Sequence, residues 1–443
     1  MTRIQNPRPG IAFRVIRSNR EFHPCNFAQK YDFFCNNFPI FANIKIKGIM
    51  QFSFNYNSLS FIVLIVFGVC LIIQLLYHWG FFSKVAFYKR NARPKLDEEL
   101  EPVSIVLCAR DAYEYLIELI PALLNQDYPN FEIVVVNDCS DDETEEYLKD
   151  LERKESRVKP VQLKQHLNFF NGKKFPLSMG IKSAQNDLIV LTDCNCMPVN
   201  DQWLRSLVNR YTNRTEIVIG YSPYVQKKSS LNRIMRFDAL QNGLLYLSAA
   251  LNHHAYMGIG KNLSYRKELF YRNQGFISHY TTAVGDDDLF INQVATKKNT
   301  EVLIDAENTI LTTPTSSFKL WMRQKSGRYS TVSKYNGRAR LMLSLFYASQ
   351  LFFYASFITL LVLCAKPAFV LTSGTITNSM VLYIPILVFC FLLRFGSQMF
   401  IYHRASKRLG EKGLLPGLIV YDFLFAFLSP WLRLMGRMKV GVE

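Results

Sequence analysis

Paired metal-ligand cysteines are missing from this chain of 443 residues. Its nine cysteines are scattered, with no CxxC spacing for zinc and no dense framework for disulfides. Four of them, Cys108, Cys139, Cys194 and Cys196, fall near the ends of candidate strands, which fits a reducing cytosolic compartment for the middle of the chain. Acidic residues are scarce beside basic ones, 35 against 52, for a formal net charge of +17. Such a balance can mark a nucleic-acid partner, yet no nucleic-acid-binding motif is present. The basic residues gather instead beside apolar segments (Lys84, Lys89, Arg90, Arg93, Lys95, then Arg404, Lys407, Arg408, Lys412), as in cytoplasmic loops facing anionic lipid. The GIGK of Gly258–Lys261 lacks the spacing and Ser/Thr of a P-loop and gives no support to nucleoside triphosphate hydrolysis.

What the chain has in excess is apolar surface. Hydrophobic residues make up 49%, and they concentrate at the two ends, a membrane pattern and not one large core. Residues 1–49 form a basic, aromatic, aperiodic leader that resembles neither a secretory signal nor a folded domain. A span follows at 58–80, whose core Leu59–Trp79 holds no Asp, Glu, Lys or Arg. Basic residues after it put its carboxyl end in the cytoplasm, whereas the leader's eight Lys and Arg would then lie outside. That conflict points to Met50 as the native start. At the other end, 318–340 mixes Trp321, Tyr329 and Tyr335 with Lys319, Arg323, Lys325 and Arg328, as suits interfacial amphipathic helices. Further spans are expected at 341–365 and 377–402, joined by an outer loop around Lys366–Ser373. The last apolar piece, 413–433, contains Asp422 and Pro430 and would export Arg433, Arg437 and Lys439 if it crossed. A re-entrant or interfacial path is therefore preferred to a span.

Between these ends, residues 101–317 alternate strands and helices. Strands are expected at Val103–Cys108, Phe131–Asn137, Val158–Leu163 and Asp187–Thr192, with helices at Tyr113–Asn125 and Lys173–Ala184 and a capping box at Ser140–Glu143 opening another. This pattern implies an α/β fold with a mainly parallel sheet covered on both faces. In such sheets ligands sit beyond the carboxyl ends of the strands. LIVLTDCNCMP, Leu188–Pro198, is a buried-strand run that stops at Asp193. Asp193 and Asn195 can hold a hard cation such as Mg²⁺ or Mn²⁺ against a phosphate. Alone, the tripeptide reads as a turn in preference to a site.

The ordered set VSIVLCARDA, VVVNDCSDD, NGKKFPLSMGI, LTDCNCMP, GKNLSYRK, GDDDLF and QKSGRY, from about Pro102 to Tyr329, resembles the membrane-embedded family 2 glycosyltransferases. That resemblance implies an inverting enzyme with a GT-A (Rossmann-like) catalytic domain and flanking transmembrane helices. It places Cys108, Ala109, Arg110 and Asp138 beside a uracil ring, Asp138 as the hydrogen-bond acceptor, and Lys173 near the nucleotide. Asp193 and Asn195 match the metal-binding DxD, with Asn where the direct ligand is usually acidic, so weaker metal binding is expected. Gly285–Asp288 matches the acidic pair before a helix, making Asp287 the general base with Asp286 beside it in catalysis and acceptor binding. Three adjacent carboxylates should raise at least one pKa. Lys325, Arg328 and Tyr329 match the Q/R-x-x-R-W pattern with two departures. Gln324 can serve in Lys325's place, Arg328 would contact the diphosphate, and Tyr329 would floor the acceptor site. Simple capping or an interfacial basic helix are the bland alternatives for these last two motifs. His253 and His254 are read as structural.

The resulting expectation is a multi-pass enzyme of the cytoplasmic (inner) membrane, with its catalytic domain in the cytoplasm. It would move sugar from a UDP-sugar to a lipid-linked or glycan acceptor, in contact with membrane lipid and without nucleic acid. The departure at Asn195 keeps open a catalytically silent UDP-sugar-binding subunit of a polysaccharide assembly complex.

Overall fold

The computed structural model describes residues 58–89, 95–164, 172–282, 284–365 and 383–440. The leader, the loop at Lys366–Ser373 and the expected start at Thr377 lie outside the described residues. Tyr56–Glu443 belong to one compact unit.

The chain enters through helix α1 (Ser58–Leu76), a π-helical turn at Tyr77–Phe82 and short α2 (Ser83–Ala86). The α/β region then runs β1 (Val103–Ala109), α3 (Tyr113–Leu124), β2 (Phe131–Asn137), α4 (Thr144–Lys154), β3 (Val158–Gln162), α5 (Lys174–Ser183), β4 (Leu188–Leu191) and β5 (Cys196–Pro198). It continues through α6 (Trp203–Val208), β6 (Ile217–Gly220), α7 (Ser230–Leu251), β7 (Leu263–Arg266), α8 (Lys267–Arg272), α9 (Asp288–Val294), β8 (Thr300–Leu303) and β9 (Ile310–Thr312). The last helices are α10 (Phe318–Thr331), α11 (Gly337–Ala365), α12 (Ile384–Arg408) and α13 (Leu418–Val440).

Seven strands form one sheet in the order β3-β2-β1-β4-β7-β6-β8, in which only β7 runs against the rest. The runs VSIVLCA and FEIVVVN are buried almost throughout, as strands covered on both faces must be. Separate apolar clusters fill the two sides of the sheet. On one side α5 lies so close that a Cβ on Gly180 would stand 2.6 Å from Val106 and 2.8 Å from Val136. Glycine is required there by that approach. Strands β1 and β2 end in step, with Ala109 opposite Asn137, so Arg110 and Asp138 leave the sheet side by side.

One local expectation fails. The capping box at Ser140–Glu143 does not form, and α4 begins at Thr144. Ser140 is drawn away, its hydroxyl donating to Asn137 Oδ1 (2.6 Å) and accepting from Asp111 N–H (3.0 Å). Asp142 caps instead, accepting from Thr144 N–H and from Tyr113 N–H at 3.0 Å each. One carboxylate therefore serves the first turns of both α4 and α3.

Among the described residues four helices are long and apolar enough to cross a membrane: Ser60–Ala86, Gly337–Cys364, Ile384–Arg408 and Leu415–Leu434. They carry most of the exposed large apolar side chains, among them Ile62, Ile72, Leu76, Phe389 and Leu392. Inside the group the chain buries charge. Arg394 Nη1 meets Asp422 Oδ2 at 2.8 Å, each side chain 1% exposed. Tyr354 hydroxyl (2.5 Å), Gln350 Nε2 (2.7 Å) and Gln398 Nε2 (2.7 Å) donate to the same carboxylate, and Arg394 Nη2 donates to Gln74 Oε1 at 3.0 Å. One polar cluster thus joins α1, α11, α12 and α13. Asp422, which at sequence level argued against a span, is fully partnered and is no bar to an apolar setting. The helix also touches the α/β region and α10. Tyr421 and Phe425 pack on Phe237 of α7, both with centroids 5.4 Å away, and Arg433 lies over Tyr329 of α10.

Removing one member of a buried ion pair strands the other. Arg394→Met is expected to cost about 3–5 kcal/mol in thermal unfolding of the detergent-solubilised protein, with Arg394→Met/Asp422→Leu recovering most of the loss. A single variant as stable as wild type would show that the pair is not formed.

Candidate active site

Three parallel strand ends build one wall of a cavity of about 940 Å³. Ala109 ends β1 and Arg110 follows it, Asp138 follows β2, Asp193 and Asn195 follow β4, and Lys173 precedes α5; all line it. The opposite wall is made by Gly260 and Lys261 before β7, Gly285–Asp288 before α9, and Gln324, Lys325, Arg328 and Tyr329 of α10. From there the cavity reaches Leu343 and Tyr347 of α11 and Arg433 of α13. Every residue assigned a site role from sequence borders this one space, while His253 and His254 do not.

The strand-end loops are held in unusual backbone. Asp111 (φ 47°) and Cys139 (φ 52°) adopt the left-handed region without being glycine, a strain kept where surrounding contacts over-determine it. Asp141 N–H donates to Asp111 Oδ1 at 2.8 Å, and the Cys194 thiol donates to Cys108 O at 3.2 Å. These bonds tie the three strand ends together.

Asp193 sits among cations. Lys173 Nζ pairs with its Oδ1 at 2.6 Å. Burial by itself would raise the Asp193 pKa, but Lys173, then Lys261 and Arg328, hold it below its ordinary value. Lys173 is pushed up in return, chiefly by Asp193. Burial would lower Arg328, yet Asp287, Tyr224, Asp288 and Asp193 outweigh it and raise it. Three cations around one carboxylate are an excess of positive charge suited to a diphosphate.

The acidic triplet is spread by separate partners. Gly285, at φ 108°, turns the chain in a conformation that a side chain would strain. Asp287 accepts from Gly260 N–H with Oδ2 (2.9 Å) and from Asp288 N–H with Oδ1 (2.7 Å). Asp288 is buried, accepting from the Tyr335 hydroxyl at 2.5 Å and from the Thr331 hydroxyl. Burial first, and the Asp287 charge second, push Asp286 up to about 7 and Asp288 up to about 6. The sequence-level expectation of a raised pKa thus falls on the neighbours of Asp287. Lys174, only 1% exposed, braces the approach to the triplet. Its Nζ donates to the carbonyls of His279 (2.7 Å), Thr282 (2.5 Å) and Val284 (3.0 Å), and burial lowers it to about 8.

On α10, Lys325 forms an ion pair with buried Asp238 of α7, so its charge is already used. Gln324 and Arg328 are exposed to the cavity, and Tyr329 is buried.

Among the described residues no three His, Cys, Asp or Glu side chains converge to hold a metal ion. Asp193 and Asn195 offer one carboxylate and one amide. Asn195 Nδ2 lies 3.4 Å from Thr313 O, and its Oδ1 faces the Cys196 thiol at 3.7 Å. That donor set fits a hard cation only with ligands added from a bound phosphate and water.

Sequence reasoning missed Lys174, Lys261 and Arg433. The pair Lys173-Lys174 was visible, but which lysine turns inward is a matter of helix phase. Lys261 was set aside with the failed P-loop, and Arg433 was counted only as a topology signal.

A crevice at the carboxyl ends of a mostly parallel sheet, lined by a cluster of cations around Asp193 and by the carboxylates of Asp286–Asp288, belongs to a domain of the GT-A fold. Residues 104–273 match the profile of Glycosyl transferase family 2, and the chain carries a family 2 glycosyltransferase domain. It is similar to an uncharacterized glycosyltransferase of Haemophilus influenzae, 25% identical over 199 residues, 44% of this chain and 60% of that protein. It is also similar to the probable glycosyltransferase YdaM of Bacillus subtilis (31% identical, 32% of this chain, 34% of that one). A third relative is the poly-beta-1,6-N-acetyl-D-glucosamine synthase of Staphylococcus epidermidis (26% identical, 34% of this chain, 36% of that one). The matched stretch thus spans less than two thirds of each relative. The fold is that of the mannosyltransferase PcManGT from Pyrobaculum calidifontis, solved with GDP-Man and Mn²⁺, at a TM-score of 0.53 and 16% identity over 80% of this chain and 100% of that one.

A carboxyl raised by burial stabilises the fold while it is neutral, and that stability is lost as pH rises through its folded pKa. For Asp286 the window lies between the ordinary 3.8 and about 7. Asp286→Asn should therefore gain melting temperature relative to wild type from about pH 5 to about pH 8. Taking the difference removes His279, which burial lowers to about 4 and which acts in the opposite sense. A difference flat with pH would refute the raised pKa.

Proposed function

We propose that the protein is a membrane-associated, inverting glycosyltransferase that transfers a sugar from a UDP-sugar to a lipid-linked or glycan hydroxyl. The observation that carries this reading is the single cavity joining Asp138, the Asp193 cation group and Asp286–Asp287. Asp138, with Ala109 and Arg110 beside it, receives the uracil ring. Lys173 and Arg328, with Lys261, take the diphosphate, spreading the charge that develops as the anomeric carbon–oxygen bond breaks. The acceptor lies over Tyr329, near Gln324 and Asp286. Its hydroxyl oxygen attacks the anomeric carbon from the face opposite the diphosphate, Asp287 takes the proton, and UDP departs.

Hydrogen bonds from two backbone N–H groups fix the Asp287 carboxylate in place. Asp286, raised to about 7, sits beside it to bind the acceptor hydroxyl. A Mg²⁺ or Mn²⁺ ion held by Asp193 and Asn195 would add charge neutralisation at the diphosphate. The named polysaccharide synthase among the relatives supports a glycan or lipid-linked acceptor. The polar cluster around Arg394 and the exposed apolar belts support membrane attachment, with the catalytic domain on the cytoplasmic face. Both flanks of α13 touch the catalytic region, which favours an interfacial path for that helix.

Release of UDP by the purified full-length protein is the test. Asp287→Asn should lower it by about 10²–10⁴-fold with the fold intact, the usual size of a lost general base. Asp286→Asn should act mainly on acceptor KM. Undiminished turnover in Asp287→Asn removes that residue from its role, and UDP binding without release in wild type would mark a silent binding subunit.

For the metal, Asn195→Asp should tighten Mn²⁺ binding by about tenfold or more, because a charge replaces a dipole. Mn²⁺ titration followed by electron paramagnetic resonance decides it; equal affinity would show that the amide is no handicap.

A further inference from the structure

The far end of the cavity carries a cation that the donor does not use. Arg433 of α13 has its guanidinium carbon 4.0 Å from the Tyr347 ring centroid and 5.7 Å from that of Tyr329. Packing of this kind holds the planar group by its face; one N–H is shared with the Tyr347 hydroxyl, and the remaining edge is available to an in-plane acceptor. Its Nε is buried with no hydrogen-bond partner, and among the described residues no carboxylate pairs with it. The acids of the surrounding helices are engaged elsewhere: Asp238 with Lys325, Asp288 with Thr331 and Tyr335, Asp422 with Arg394. A buried donor left unpaired is costly, and an entering anion relieves that cost.

What surrounds this end is apolar and outward-facing. Leu341 is 68% exposed and Leu434 59%, and Leu345 and Trp431 stand exposed on the same two helices. Leu343, between them, lines the cavity itself. An anion that carries a hydrocarbon chain would find apolar surface for that chain on this side.

We propose that Arg433 binds the phosphate of a lipid-phosphate-linked acceptor, so that the headgroup hydroxyl extends along the cavity toward Asp287. The proposal rests on the glycosyltransferase reading above and narrows its acceptor to one chemical class. Arg433 is a substrate-binding residue in this scheme, reached from the apolar face, while the nucleotide occupies the strand-end wall.

The test is binding of farnesyl phosphate to the full-length protein in detergent micelles, with farnesol, inorganic phosphate and phosphatidylglycerol as comparators and UDP as a separate titration. Wild type should prefer farnesyl phosphate to all three comparators. Arg433→Gln should weaken farnesyl phosphate by about tenfold or more, the loss of a charge-assisted contact, with UDP affinity unchanged. Arg433→Lys should fall between, keeping charge but losing the planar fork. The proposal is overturned if Arg433→Gln binds farnesyl phosphate like wild type, or if farnesol binds as well. Equal binding of phosphatidylglycerol would make Arg433 a general headgroup anchor, and a drop in UDP affinity would assign it to the donor; either result overturns the proposal too. Failure of wild type to bind UDP would sink the donor reading, a result separate from the farnesyl phosphate comparison.

Discussion

Three consecutive carboxylates cannot share one place, and much of the structure follows from keeping them apart. Asp287 is held by backbone N–H groups of Gly260 and Asp288, Asp288 is turned into hydroxyls from the helix α10 region, and Asp286 faces the cavity. Each partner comes from a different stretch of chain. The loop before β7, the start of α9 and the end of α10 must therefore all be in position before the triplet is tolerable. Lys174 adds a positive charge behind the triplet and three hydrogen bonds to the chain that leads into it.

The same cavity brings a cluster of cations close to this acidic triplet. Lys173, Lys261 and Arg328 crowd a single carboxylate, Asp193, and Asn195 contributes no charge. A diphosphate entering there meets a surplus of cations already fixed by packing, a preorganised field that needs no rearrangement when charge develops.

Attachment to the membrane-length helices is as much polar as apolar. Between α12 and α13, Glu411 is buried against Arg236 of α7 at 2.7 Å and accepts from the Tyr221 hydroxyl at 3.0 Å. Deeper in the bundle, Arg394 and Asp422 join four helices. These contacts fix α13 beneath the catalytic region, and that placement is what brings Arg433 to the reaction cavity. Geometry at the far end of the active site therefore depends on ion pairs made well away from it.

The sheet was legible in the sequence because each central strand is an unbroken apolar run, and its chemistry stands directly at the run's end. Asp138 and Asp193 needed no tertiary information to be singled out, and the Gly285–Asp288 motif is a local pattern. Ser140–Glu143 shows the limit even of local rules, since Ser140 satisfied the capping pattern and was taken by Asn137 and Asp111 from neighbouring strand ends. Pairings such as Lys325 with Asp238, Lys174 with the His279–Val284 carbonyls, and Gln74 with Arg394 join residues far apart in sequence. Composition and periodicity carry no record of such partners, because an isolated charge looks the same whether it meets water, lipid or a buried counter-ion. By itself the sequence determined the α/β domain, its strand-end ligands and its apolar flanks, all set by short-range pattern. Only the tertiary structure decided which charges are paired and which, like Arg433, have no carboxylate partner among the described residues, because burial and pairing exist only once distant segments pack.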